Sequence, residues 1–118
     1  MILENFIKGY LEAALFTSND LSDDTPLDKL TISDFSPEAL ARAKKDCDLF
    51  VRAGKEFLDE AKMDDAAAGH DFWLTRNGHG AGFWDRDLGD VGDRLTELCK
   101  FFGETDLYLG DDRQLHFN

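Results

Sequence analysis

The chain is 118 residues long and 42% hydrophobic, with 10 Phe, 2 Trp and 2 Tyr, and its 25 acidic against 13 basic side chains leave a net charge of −12. That apolar content excludes a disordered acidic polymer, and the length suits a single domain spanning 1–118 whose core needs neither disulfide nor metal to hold it. The charge repels phosphate backbones, so direct nucleic-acid binding is not expected.

The acid is spread along the chain. Residues 1–36 carry seven acids and two bases, residues 37–68 eight and six, and residues 69–118 ten and five. Asp outnumbers Glu by 18 to 7, and a short carboxylate reaches neighbouring backbone N–H groups, so much of the charge reads as cap and turn chemistry. Cys47 and Cys99 fall on apolar helical stripes and are expected to be free core thiols in a reducing cytoplasm. No apolar run approaches a membrane span, and Glu4 and Glu12 stand where a secretory signal would be basic and then apolar. The expected location is therefore the cytoplasm, with no membrane partner.

Ile2, Phe6, Ile7, Tyr10, Leu11, Ala14 and Leu15 recur every three or four residues and predict a helix over 2–17. A polar loop follows, with Asp23, Asp24, Pro26 and Asp28, and Leu27, Leu30, Ile32 and Phe35 are expected to pin it to the body. Ser36-Pro37-Glu38 combines a side-chain cap, a preset φ and an anion at the positive end of a helix dipole. The second helix follows, its buried face marked by Leu40, Ala43, Cys47, Phe50, Val51, Gly54, Phe57, Leu58 and Ala61. It fades at Met63-Asp64-Asp65, and Ala66-Ala67-Ala68-Gly69 closes the helical half.

Short aromatic runs then predict strands at 71–76 and 82–85, joined through Asn77-Gly78-His79-Gly80, since Asn-Gly suits positive φ. A third helix is expected over 88–102 with Gly103 as a left-handed cap. A second hairpin pairs 106–109 with 114–117 through Gly110-Asp111-Asp112. The expected fold class is α+β: two N-terminal helices, then ββαββ, a mostly antiparallel sheet packed against helices. Phe50, Phe57, Leu95, Leu98 and Phe102 are the expected core.

The unusual segment is Gly69-His70-Asp71-Phe72-Trp73-Leu74-Thr75-Arg76-Asn77-Gly78-His79-Gly80-Ala81-Gly82-Phe83-Trp84-Asp85-Arg86. With Gly92-Asp93-Arg94-Leu95-Thr96, Asp106-Leu107-Tyr108-Leu109-Gly110-Asp111-Asp112 and the N-terminal Glu12-Ala13-Ala14-Leu15, it resembles a group of short acidic proteins encoded by bacteriophages, prophages and plasmids. The resemblance spans most of the chain. It implies a setting, a mobile-element protein acting inside a bacterial host, and carries over no catalytic residues.

In a hairpin, His70, Asp71, His79, Asp85 and Arg86 would converge as the candidate catalytic group: a His beside a carboxylate serves as an oriented base, and two His with two Asp could ligate a metal. The spacing matches no metal motif, so neither metal nor cofactor is expected. The plainer reading has Trp73 and Trp84 covering one hairpin face and Phe72, Leu74 and Phe83 the other. The glycines form no phosphate-binding loop, and no nucleophile elbow is present. The function expected on this basis is a non-catalytic accessory protein of a mobile element, binding a host or element-encoded protein with a basic surface. Trp73, Trp84, Asp111 and Asp112 are its candidate contact residues. The alternative is a small enzyme or ligand-binding domain centred on the first hairpin.

Overall fold

The computed structural model describes residues 1–18 and 30–118; the loop expected around Asp23, Asp24, Pro26, Leu27 and Asp28 lies outside the described residues. Among the described residues five α-helices dominate: α1 (Leu3–Ser18), α2 (Pro37–Ala53), α3 (Lys55–Ala61), α4 (Asp65–Arg76) and α5 (Asp90–Lys100). Short 3-10 turns occupy Ile32–Asp34 and Phe83–Asp85, and one two-stranded antiparallel sheet pairs β1 (Leu107–Leu109) with β2 (Leu115–Phe117).

The ββαββ arrangement is thereby corrected. The stretch 71–76 is the body of α4, and 82–85 is a 3-10 turn. Ala66-Ala67-Ala68-Gly69, expected to close a helix, instead forms the first turns of α4, which is capped by Asp64, whose carboxylate accepts from Ala67 N at 3.3 Å. Asn77-Gly78 bends the chain with the expected positive φ, +68° at Gly78, but does so as a helix end. His79 N bonds Leu74 O and Gly78 N bonds Thr75 O, the paired carbonyl capping of a Schellman motif. An Asn-Gly pair satisfies a hairpin turn and a helix C-terminus equally well, which is why local chemistry misreads it.

The second helix, read as continuous, breaks at Gly54 and ends where Lys62 takes a left-handed φ of 54°. Its start is as expected, Ser36 Oγ accepting from Ala39 N at 3.0 Å behind Pro37. Ala39, Ala43, Cys47 and Phe50 face inward, while Leu40 is exposed. Gly103 follows α5 with φ +68°, as a C-terminal cap requires. The second hairpin forms in the register Leu107↔Phe117, Tyr108↔His116, Leu109↔Leu115. Leu30 and Ile32 pack on the core beside buried Phe35, and Ser36 N bonds Leu115 O, tying the start of α2 to β2.

An aromatic stack makes the centre: Phe50 lies 4.2 Å from Phe72 and 5.7 Å from Phe83, with Phe6 and Tyr10 against Phe72. Phe50 and Leu95 are buried as expected, whereas Phe57, Leu98 and Phe102 are only partly covered and pack on the rim. α3 is a single short segment that sends Leu58 into the core and leaves Phe57 partly covered.

α1 and α4 run in the same direction. Ile2 N bonds the Asp65 carboxylate at their starting ends, and Trp73 Nε1 donates to Thr17 Oγ1 at 2.9 Å near their finishing ends. Where they cross, backbones touch: a Cβ on Gly69 would sit 1.9 Å from Phe6 O, and one on Gly9 1.9 Å from Ala66 O. Among the described residues, no helix is long and apolar enough to cross a membrane.

Candidate functional site

Three of the five candidate catalytic residues do meet, by a helix and a turn rather than by two strands. Asp71 on α4 is wholly buried, and Arg86, just past the 3-10 turn, holds it with both prongs, Nε to Oδ2 at 2.9 Å and an Nη to Oδ1 at 2.8 Å. The bond to Asp71, with its charge, raises the proton affinity of Arg86 further. His70 lies beside this pair and, with Arg86, Glu12, Gly9, Ala66 and Ala67, lines a shallow cleft of about 290 Å³ over the α1–α4 crossing. The other two residues are elsewhere. Asp85 folds back to accept from Gly82 N at 2.9 Å, and His79 stands at the opposite end of α4.

The Asp71–Arg86 pair has the character of a structural clamp. Both carboxylate oxygens are directed at Arg86, and among the described residues no hydrogen bond joins Asp71 to His70, so the pair does not orient His70 as a base. Removing Arg86 would strand a buried carboxylate. Arg86→Ala is expected to cost about 2 to 4 kcal/mol, below the full figure for a buried pair because the Arg side chain is half exposed. Urea melts would test this, and a loss below about 0.5 kcal/mol would show that water replaces the guanidinium.

A second ionic centre, unforeseen from the sequence, sits at the end of α4. The Arg76 side chain is 1% exposed and donates to Tyr10 Oη, to Asp46 Oδ2, and to the carbonyls of Phe102 and Gly103, each within 2.8 to 2.9 Å. Its guanidinium lies over the rings of Phe72 and Phe102 at 5.6 and 5.8 Å. One residue thereby joins α1, α2, α4 and the end of α5. The only sequence signal for it was a lone Arg at helical spacing from Ala68, Gly69, Phe72 and Trp73.

Both cysteines are free and buried. Burial, the largest cause, pushes the Cys99 thiol up to about 12 and raises Cys47 and the Tyr10 hydroxyl further, Arg76 opposing it in each. Two thiols should therefore react with an aromatic disulfide reagent only after unfolding. All three groups hold protons more tightly when folded, so their contribution to stability is intact below about pH 8.5 and is lost as pH rises toward 12. A melting temperature that stays flat from pH 8 to pH 11 would contradict this.

Of the candidate contact residues, Trp73 is corrected: it is 2% exposed and packs edge-on against Tyr10, as a helix residue facing α1 must. Trp84 is exposed. Asp111 and Asp112 are exposed at the second turn, where Asp112 accepts from Gln114 N and pairs with His116, whose hydrogen bond lowers its pKa.

A deeper cleft, of about 130 Å³, opens at the finishing ends of α1 and α4. Thr17, Ser18, Trp73, Asn77, His79, Glu104, Thr105, Asp106 and Leu107 line it. Comparison of the chain with protein-family models, with curated proteins and with solved structures finds no match.

Proposed function

We propose that this chain is a non-catalytic accessory protein of a phage or related mobile element that binds a host or element-encoded protein. The partner presents a basic surface of the kind that holds nucleic acid. The observation that carries this reading is the outer side of α5 with the turn before it. Asp85, Asp87, Asp90, Asp93 and Glu97 are all exposed there, between two large aromatics in solvent, Trp84 at 51% and Phe101 at 87% exposure.

Helical spacing sets Asp90, Asp93, Glu97 and Phe101 along one side of α5, opposite buried Leu95 and Cys99. Of the cations in the stretch, Arg86 is committed to Asp71 and Lys100 to Glu97 at 3.0 Å, leaving Arg94. Exposed aromatics supply apolar anchors, and the carboxylates steer a basic partner and select against acidic ones. The scattering of His79 and Asp85 away from His70 also favours binding over the alternative of catalysis at a hairpin.

The test is capture by the immobilised chain from a bacterial host carrying the element, compared with Trp84→Ala/Phe101→Ala and Asp87→Asn/Asp90→Asn/Asp93→Asn variants. A stoichiometric basic protein should be retained, with affinity falling about tenfold or more in each variant. Raising salt from about 0.05 to 0.5 M should weaken retention steadily. A retained protein indifferent to both variants and to salt would sink the reading.

A further inference from the structure

We propose that the cleft at the finishing ends of α1 and α4 binds an organic cation, an ammonium or guanidinium head group held between Glu104 and Asp106. The cleft lies outside the α5 face and does not depend on the role given to that face.

Its size selects a head group. About 130 Å³ is the room of roughly four waters and falls short of the ~300 Å³ at which pockets for whole drug-sized ligands begin. Its charge selects a cation. Glu104 and Asp106 are the carboxylates among its described lining residues, His79 is the imidazole there, and no described Lys or Arg joins them. α1 and α4 run in the same direction, so both bring their C-terminal ends here. Aligned peptides leave a partial negative charge at each end, reduced at α4 because the carbonyls of Trp73, Leu74 and Thr75 are already bonded by Asn77, His79 and Gly78. Arg76, the last residue of α4, turns inward to Tyr10 and Asp46, so its charge is spent in the core.

The walls are already set. Trp73 Nε1 is fixed by Thr17 Oγ1, which itself donates to Ala13 O. Asn77 accepts from Thr105 N at 2.8 Å and donates to Trp73 O at 3.0 Å, locking the segment before β1 onto the end of α4. Preformed walls spare a ligand the cost of ordering them.

Two sources share this chemistry, a free small cation and a Lys or Arg side chain of a partner protein. Amide and indole resonances of the full chain would be followed during titration with L-arginine, spermidine, and a blocked peptide carrying one arginine. Sodium acetate and an uncharged alcohol serve as controls. Saturable shifts centred on the Trp73 indole N–H and the Asn77, His79 and Thr105 amides are expected with the cations and absent with the controls.

Glu104→Gln/Asp106→Asn should weaken that binding at least about tenfold. Both residues are exposed, so the unchanged spectrum elsewhere reports an intact fold. Saturation by free arginine or spermidine would identify a small-molecule source; saturation by the peptide alone would identify a partner side chain. The Trp84→Ala/Phe101→Ala variant should keep the cation shifts whatever it does to partner capture. Unsaturable shifts, shifts spread over all acidic surfaces, or binding unchanged in Glu104→Gln/Asp106→Asn would overturn the proposal while leaving the α5 reading untouched.

Discussion

Replacing Arg76 with methionine is expected to destabilise the protein by about 3 to 5 kcal/mol, the usual cost of breaking a buried ion pair from one side. Methionine fills much of the same volume, so little of the loss would come from a cavity. It would come from Asp46, Tyr10 Oη and two backbone carbonyls deprived together of one donor group. Asp46 is about one-fifth exposed and the carbonyl of Gly103 lies at an exposed residue, so water recovers part of the deficit and the lower half of the range is the better expectation. Urea denaturation followed by far-UV circular dichroism measures it. A companion Arg76→Met/Asp46→Leu chain should recover stability relative to Arg76→Met, because two matched apolar groups leave no stranded charge. If the double variant is no better than the single one, the loss lies in the carbonyls and in packing on Phe72 and Phe102.

The second large effect is expected at the α1–α4 crossing. Gly→Ala within a helix normally stabilises by about 1 kcal/mol through propensity. At Gly69 the sign should invert. The added Cβ would meet Phe6 O at 1.9 Å, Phe6 C at 2.8 Å and Tyr10 N at 3.0 Å, all backbone atoms that cannot swing aside. α1 must retreat, loosening Phe6 and Tyr10 from Phe72, and the expected cost of Gly69→Ala is about 3 kcal/mol or more, at the upper end for overpacking. Gly80→Ala is the control, since nothing lies within 4 Å of its Cβ position, and it should stay within about 0.5 kcal/mol. Comparable losses at both positions would refute the close crossing. A loss confined to Gly69 would support it and would predict the same behaviour at Gly9.

Several elements were written locally and appear where the residues place them. Ser36-Pro37-Glu38 opens α2, the Leu95/Cys99 spacing forms α5 with Gly103 beyond it, and Gly110-Asp111-Asp112 turns the second hairpin. Each depends on contacts within a few residues, so the chain code carries all the information needed. Of the candidate site, the grouping of His70, Asp71 and Arg86 was legible, since a 15-residue separation brings them together through either a hairpin or a helix with a returning turn. The placement of His79 and the burial of Trp73 were not, because both depend on which of those two structures forms.

What the sequence by itself determined is the net acidity, the free thiols, the elements with self-contained caps and, of the expected core, Phe50 and Leu95. The identity of residues 65–76 was decided by tertiary structure. Asp64 as a cap and the 68, 69, 72, 73, 76 spacing argue for a helix, while Gly69, the adjacent aromatics and Asn77-Gly78 argue for a strand and turn. The balance is struck by α1, more than fifty residues earlier: Gly9 and Gly69 let two backbones come within contact distance, and only a helix at 65–76 offers Phe72, Trp73 and Arg76 together to Phe6, Tyr10 and Thr17. Local propensities there differ by tenths of a kcal/mol, whereas the aromatic stack and the Arg76 bonds amount to several, so the distant contacts prevail.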